Sequence, residues 1–103
     1  MSIKFRVADR FICPGPRYIY LGDNSGEQYR NVIIDAVLSG DEVIIDLDGT
    51  EGYGSSFLEE AFGGLIRAGA PHDLVRKIKF ISDEEPDLID EIKSYIEDEI
   101  AKS

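Results

Sequence analysis

The sequence predicts an α/β fold, a mixed sheet of about four strands with three helices packed on it, in one domain spanning residues 1–103. Three observations carry that prediction. Segments with the period-two alternation of strands and segments with the spacing of amphipathic helices take turns along the chain. One segment, Val43-Ile44-Ile45, is a solid β-branched block, the mark of a strand covered on both faces. A chain of 103 residues also suffices for one core, since it buries roughly two-thirds of the surface it exposes when unfolded.

Taken in order, Ile3-Lys4-Phe5-Arg6-Val7 alternates apolar and polar and opens the chain as a half-buried strand. After the breaker run Pro14-Gly15-Pro16, residues 17–21 read as a second extended piece. Ser25, with Gln28 three residues on, makes a capping box, and Tyr29, Val32, Ile33, Ala36 and Val37 then share one helical face. Gly40 ends that helix. The Val43 strand stops at Asp46-Leu47-Asp48-Gly49.

Phe57, Leu58, Ala61, Phe62, Leu65 and Ile66 form the apolar stripe of the next helix, with Glu59 and Glu60 on its outward side. Gly63-Gly64 in mid-helix costs about 1 kcal/mol per residue relative to Ala, and close packing of helix on sheet is the simplest compensation. Residues 77–81 alternate again as a strand nearer the sheet edge. Ser82 can cap the last helix, Pro86 suits its first turn, and Ile89, Ile92, Ile96 and Ile100 supply its seam. The element order is ββαβαβα.

A net charge of −10 disfavours nucleic acid, whose phosphates require a basic footprint, and anionic membrane surfaces alike. Residues 82–103 hold nine acids and two lysines, so most of that charge belongs to the last helix. A solvated face explains it, and a docking face for a basic partner is the alternative. Cys13 is the only cysteine, so no internal disulfide is possible and a reducing, cytoplasmic compartment is expected. The N-terminal residues do not resemble a signal peptide, and no apolar stretch reaches the ~20 residues of a membrane helix. Cys13 reads as a small core residue or a reactive thiol, His72 as a surface residue, and Arg17 as a salt-bridge former or an anion contact.

Ile44-Ile45-Asp46-Leu47-Asp48-Gly49-Thr50 resembles the first motif of the haloacid-dehalogenase-like phosphatases, in which one aspartate attacks phosphorus and the second acts as acid/base around Mg²⁺. That family opens its fold with this motif and follows it with a lysine and an acidic pair on later strands. Here a strand, an extended piece and a helix precede the motif, and no such set follows. The reading preferred for Asp46 and Asp48 is a turn tied by side-chain-to-backbone hydrogen bonds. Neither metal nor another cofactor is expected.

A longer stretch carries a better resemblance. Residues 43–66, VIIDLDGTEGYGSSFLEEAFGGLI, resemble the STAS-like domain of unknown function, a group related to the anti-sigma-factor antagonists and to the STAS domains of sulfate transporters. Those proteins have an apolar strand ending in Asp, a short loop, and an Asp-Ser-Ser-Gly motif opening an apolar helix. Gly54, Ser55, Ser56 and Phe57 occupy the motif positions here, so Gly54 and Phe57 depart from it. Pro16-Arg17-Tyr18 and Ser25-Gly26-Glu27 extend the likeness over most of the chain.

The resemblance implies a non-enzymatic regulatory module whose partner is an ATPase of the histidine-kinase-like fold. That partner would phosphorylate Ser56, with Ser55 as the second candidate, and the modified chain would release it. Asp48, Gly49, Tyr53, Gly54, Phe57 and Glu60 are the expected partner contacts, on the turn 49–57 and the exposed side of the following helix. On the residues alone, Ser55 or Ser56 as a plain N-cap worth ~1 kcal/mol stays open. So do two other classes: a small metal-dependent phosphohydrolase built on Asp46 and Asp48, and an acidic antitoxin-like inhibitor acting through residues 83–99.

Overall fold

The sheet of the computed structural model, which describes residues 2–103, has three strands, all parallel. β1 (Ser2–Arg6), β2 (Glu42–Asp46) and β3 (Lys79–Ile81) lie in the order β1-β2-β3, which makes β2 central. Parallel neighbours need long crossovers, and helices supply them. The first crossover holds the single turn α1 (Val7–Arg10), a long loop and α2 (Gly26–Leu38). The second holds a continuous helical run over residues 55–67: α3 (Ser55–Leu58), a π turn (Glu59–Gly63) and α4 (Gly64–Arg67). The single turn α5 (His72–Arg76) leads into β3, and α6 (Asp87–Lys102) follows it.

Taking residues 55–67 as one helix, there are five helices where the sequence predicts three. α1 and α5 are too short to leave a helical periodicity in the sequence. The expected strand over residues 17–21 is absent as well. Ile19–Leu21 is one 3-10 turn, in which the Leu21 and Gly22 amides bond back to the Tyr18 and Ile19 carbonyls. Backbone groups closed locally are not offered to a neighbouring strand, so the sheet is smaller than expected and purely parallel rather than mixed.

Register places Ile3 beside Val43, Phe5 beside Ile45, and Ile45 beside Phe80, so these residues share one face of the sheet. That face meets the helices, and Val43 and Ile45 are buried with Phe5 and Phe80 packed against the core. The opposite face differs from the expectation for a solid apolar block. Ile44 sits between Lys4 and Lys79 in register, is half-buried, and lies outside the core. Lys4–Asp46 and Lys79–Glu42 ion pairs, at 4.0 and 2.9 Å, cross that open face.

The helix over residues 55–67 is enclosed by α2, α6 and the sheet. Phe57, Leu58 and every residue from Glu60 to Ile66 are buried. Glu60, expected to point outward, is only 3% exposed. The helix therefore has no broad exposed side. A π turn carries one residue more per turn than an α turn, which widens the face that must be covered.

Gly63 and Gly64 compensate differently from the expected helix-on-sheet packing. A Cβ at Gly63 would lie 2.8 Å from the Glu59 carboxylate and 3.5 Å from the Tyr95 carbonyl of α6; one at Gly64 would lie 3.0 Å from the Glu60 carboxylate and 3.1 Å from Arg30 of α2. The glycines make room for charged side chains and for two helices.

Ser25 caps α2 as predicted, accepting the Gln28 amide at 3.0 Å, and Gly26, Tyr29, Ile33 and Val37 are its buried residues. The seam of α6 is Leu88, Ile92 and Ile96, at i, i+4 and i+8, with Ile89 half-buried beside it. Ser82 does not cap α6. Its hydroxyl donates to the Glu85 carbonyl, and Pro86 holds the N-cap position.

Candidate functional site

The chain leaves β2 at Asp46 and must turn before the helix at Ser55. Asp46 Oδ1 accepts the Asp48 amide at 3.0 Å, a local Asx closure of the kind short acidic side chains form. Both Asp48 oxygens are used across the sheet end: they accept the Asp83 and Glu84 amides at 3.1 and 3.0 Å. Asp48, its amide held by Asp46, thus clasps the segment after β2 to the segment after β3. Among the described residues, no cluster of three or more His, Cys, Asp or Glu side chains could hold a metal ion.

Gly49 donates its amide to Glu84 Oε1 at 2.7 Å and has φ +92°, a conformation that favours glycine. Tyr53 is half-buried rather than exposed. Its hydroxyl donates to the Leu47 carbonyl at 2.8 Å, its ring lies 5.9 Å from that of Phe57, and burial pushes its pKa up to about 12. Phe57 is fully buried and touches no solvent. Of the six expected partner contacts, Phe57 and Glu60 are inside the molecule and Asp48 and Tyr53 are committed to internal bonds. Gly49 and Gly54 remain exposed.

Gly54 is the helix N-cap, with φ −83° and ψ 149° and no side-chain cap. Ser55 and Ser56 occupy the first turn, both exposed, and neither caps the helix. The two hydroxyls differ in surroundings. Ser55 neighbours Tyr95 on α6, whose hydroxyl donates to Glu91 Oε2 at 2.6 Å. Neither serine side chain makes a hydrogen bond among the described residues, and Ser55 alone has the Tyr95–Glu91 pair beside it.

Against this turn packs the loop between α1 and α2. The Ile12 carbonyl accepts the Glu51 amide at 2.8 Å, and Gly26 meets helix 55–67 so closely that a Cβ would lie 2.4 Å from the Phe57 carbonyl oxygen. The loop exposes Ile12, Ile19, Tyr20 and Leu21, with Tyr20 81% exposed and the Tyr18 and Tyr20 rings stacked 5.6 Å apart. Single exposed apolar residues are ordinary, but several in one loop beside an exposed turn are not. Sequence reasoning missed this patch. The available signal was the unbroken apolar run Tyr18-Ile19-Tyr20-Leu21, which does not alternate as a half-buried strand would.

Cys13 belongs to the same loop and is exposed, not a core residue. Its thiol lies 3.3 Å from Glu51, and that hydrogen bond with its carboxylate raises the thiol pKa, which disfavours the reactive thiolate.

Under the site runs a charge network that the sequence also hid. Glu59 pairs with Arg17 of the loop and with Arg67, the latter at 2.7 Å. Glu60 pairs with Arg30 of α2 at 2.6 Å and Arg67 at 2.9 Å, and Arg67 also pairs with Glu99 of α6. Hydrogen bonding from Arg67 holds the Glu59 carboxyl below its usual range; partial desolvation opposes this and Arg17 adds to it. The network ties loop, α2, central helix and α6 together. Arg17 is thus a salt-bridge former. His72 opens α5, half-buried, with Nε2 3.3 Å from the Ser103 hydroxyl.

Much of the acidic face of residues 83–99 is exposed, though Glu97 pairs with Arg76 at 2.9 Å. No described helix is long and apolar enough to cross a membrane. Among known proteins, the family model described as a STAS-like domain of unknown function matches residues 25–88, the segment that runs from the α2 cap to α6. No curated protein and no solved structure matches the chain.

Proposed function

The chain belongs to the STAS-like domain family, and from that premise we propose that it is a non-enzymatic regulatory module that binds a protein partner at the serine turn. The observation that carries this reading is the pair of exposed, uncapping hydroxyls at Ser55 and Ser56, set beside an exposed apolar loop. The partner contacts are Gly49, Gly54, Ser55 and Ser56 on the turn, with Ile12, Ile19, Tyr20 and Leu21 as the apolar anchor. Aromatic and aliphatic anchors of this kind dominate binding energy, while polar neighbours fix register.

Phosphorylation of Ser56 by an ATPase of the histidine-kinase-like fold is the switch. Ser56 is preferred to Ser55 because a phosphate on Ser55 would meet the Tyr95–Glu91 pair at close quarters. A phosphate on Ser56 adds about −2 charge at the positive end of the helix dipole, so the fold tolerates it. The partner, seated against apolar loop and turn, does not. Phosphopeptide mapping of the chain recovered from its own cells tests the modification. The expected result is phosphate on Ser56, lost in Ser56→Ala. A chain phosphorylated elsewhere, or never, contradicts the reading.

A further inference from the structure

A second recognition surface lies away from the serine turn, at the free edge of β3. An open groove of about 610 Å³ runs there, floored by Ile44 and Ile81 of the open sheet face, by Ile78 and Phe80, and by Ile89 of α6. Its remaining lining residues are Arg76, Lys77, Lys79 and Lys93. The chain has 21 acidic and 11 basic residues, yet four of the basic ones line this groove and no acidic one does. Arg76 and Lys79 are balanced by Glu97 and Glu42 at its margins; among the described residues Lys77 and Lys93 form no ion pair.

The backbone at this edge is also unfinished. The Ile81 carbonyl accepts the Leu47 amide, so in this parallel ladder Lys79 and Ile81 turn their peptide groups toward β2. Phe80 then turns its N–H and C=O to the side where no strand pairs. An apolar floor, a cationic rim and an unpaired strand edge together describe a receptor for an added strand.

We propose that this groove binds an extended peptide segment of a partner protein in which acidic and apolar residues alternate, adding it as a fourth strand beside β3. The period-two alternation of the guest strand sets its apolar residues on Ile78, Phe80 and Ile89, where Lys93 borders them, and its carboxylates on the other face with Lys77 and Lys79. Edge pairing with a second copy is opposed by charge, because β1 brings Lys4 and Arg6 and β3 brings Lys79 to any such junction. Nucleic acid is opposed by the net charge of −10, which repels a long polyanion while leaving a short acidic segment locally matched.

The test is a titration of the ¹⁵N-labelled full chain with three probes: a short peptide alternating Glu and Val, its Lys/Val counterpart, and a single-stranded oligonucleotide. The Glu/Val peptide is expected to shift the amides of residues 77–81 and 89–93 and to leave those of residues 49–57 in place. Its affinity should fall by about tenfold or more in the double variant Lys77→Glu, Lys93→Glu, two exposed positions whose change leaves the rest of the spectrum intact. Equal binding by the Lys/Val peptide, shifts centred elsewhere, or an unaffected double variant overturns the proposal. So does an oligonucleotide that shifts the same amides when the Glu/Val peptide does not, or self-association of the free chain through Phe80.

Discussion

At the scale of single residues, the tyrosine that anchors α2 in the core carries a buried hydroxyl on the side of α1. Tyr29 is 1% exposed, its ring packs edge-on against Phe11 and Phe62, and its hydroxyl has no hydrogen-bond partner among the described residues. Burial pushes its pKa upward, as expected where the charged form is denied water. An unpaired buried hydroxyl costs free energy that phenylalanine avoids at the same shape. Tyr29→Phe is therefore expected to raise stability by about 1 kcal/mol in urea unfolding; a loss of similar size would mean that the hydroxyl is satisfied. Gly26, pressed on the Phe57 carbonyl, and Ser25, capping α2 above it, show how few atoms fix the approach of α2 to the serine turn.

The central helix is the element on which most else depends. Phe62 is fully buried and meets Phe80 edge-on at 5.2 Å, joining helix and sheet. Phe62→Ala should cost ~3–5 kcal/mol in the same measurement, and a cost below ~1 kcal/mol would show that this contact does not hold the layers together. Its apolar residues were legible in the sequence, because Phe57, Leu58, Ala61, Phe62, Leu65 and Ile66 keep helical spacing. The burial of Glu60 was not legible, since a glutamate in a stripe pattern reads as solvent-facing until Arg30 and Arg67 arrive from elsewhere. The false strand over residues 17–21 failed for the complementary reason: apolar residues in a row say that something is to be covered, not that the chain itself covers it. The position of the serines could be read from sequence likeness, whereas their freedom from capping needed the backbone angles of Gly54.

At the scale of the whole molecule, one charge network joins elements that are far apart in sequence. The Arg–Glu network binds four parts of the chain at one place, and its pH dependence follows from Glu59, whose pKa is lowered from 4.5 in the folded state. A lowered carboxyl pKa stabilises the fold above the unfolded value and loses that contribution as pH falls through the folded one. The thermal midpoint should therefore drop on acidification below about pH 4.5, and Glu59→Gln should make that drop shallower. An unchanged slope would assign acid sensitivity to other carboxylates. The two proposed binding surfaces sit differently toward this network: Arg17 ties the apolar loop beside the serine turn into it, whereas the basic groove lies apart from it at the β3 edge. On the proposed function, Ser56 controls partner binding without controlling the fold. It is tested by the dissociation constant of the proposed ATPase partner for the chain and for Ser56→Asp, with thermal midpoints measured alongside. The expected result is a midpoint nearly unchanged and binding weakened by at least ~1.4 kcal/mol, or tenfold. Equal affinity of the two forms, with both folded, would contradict it.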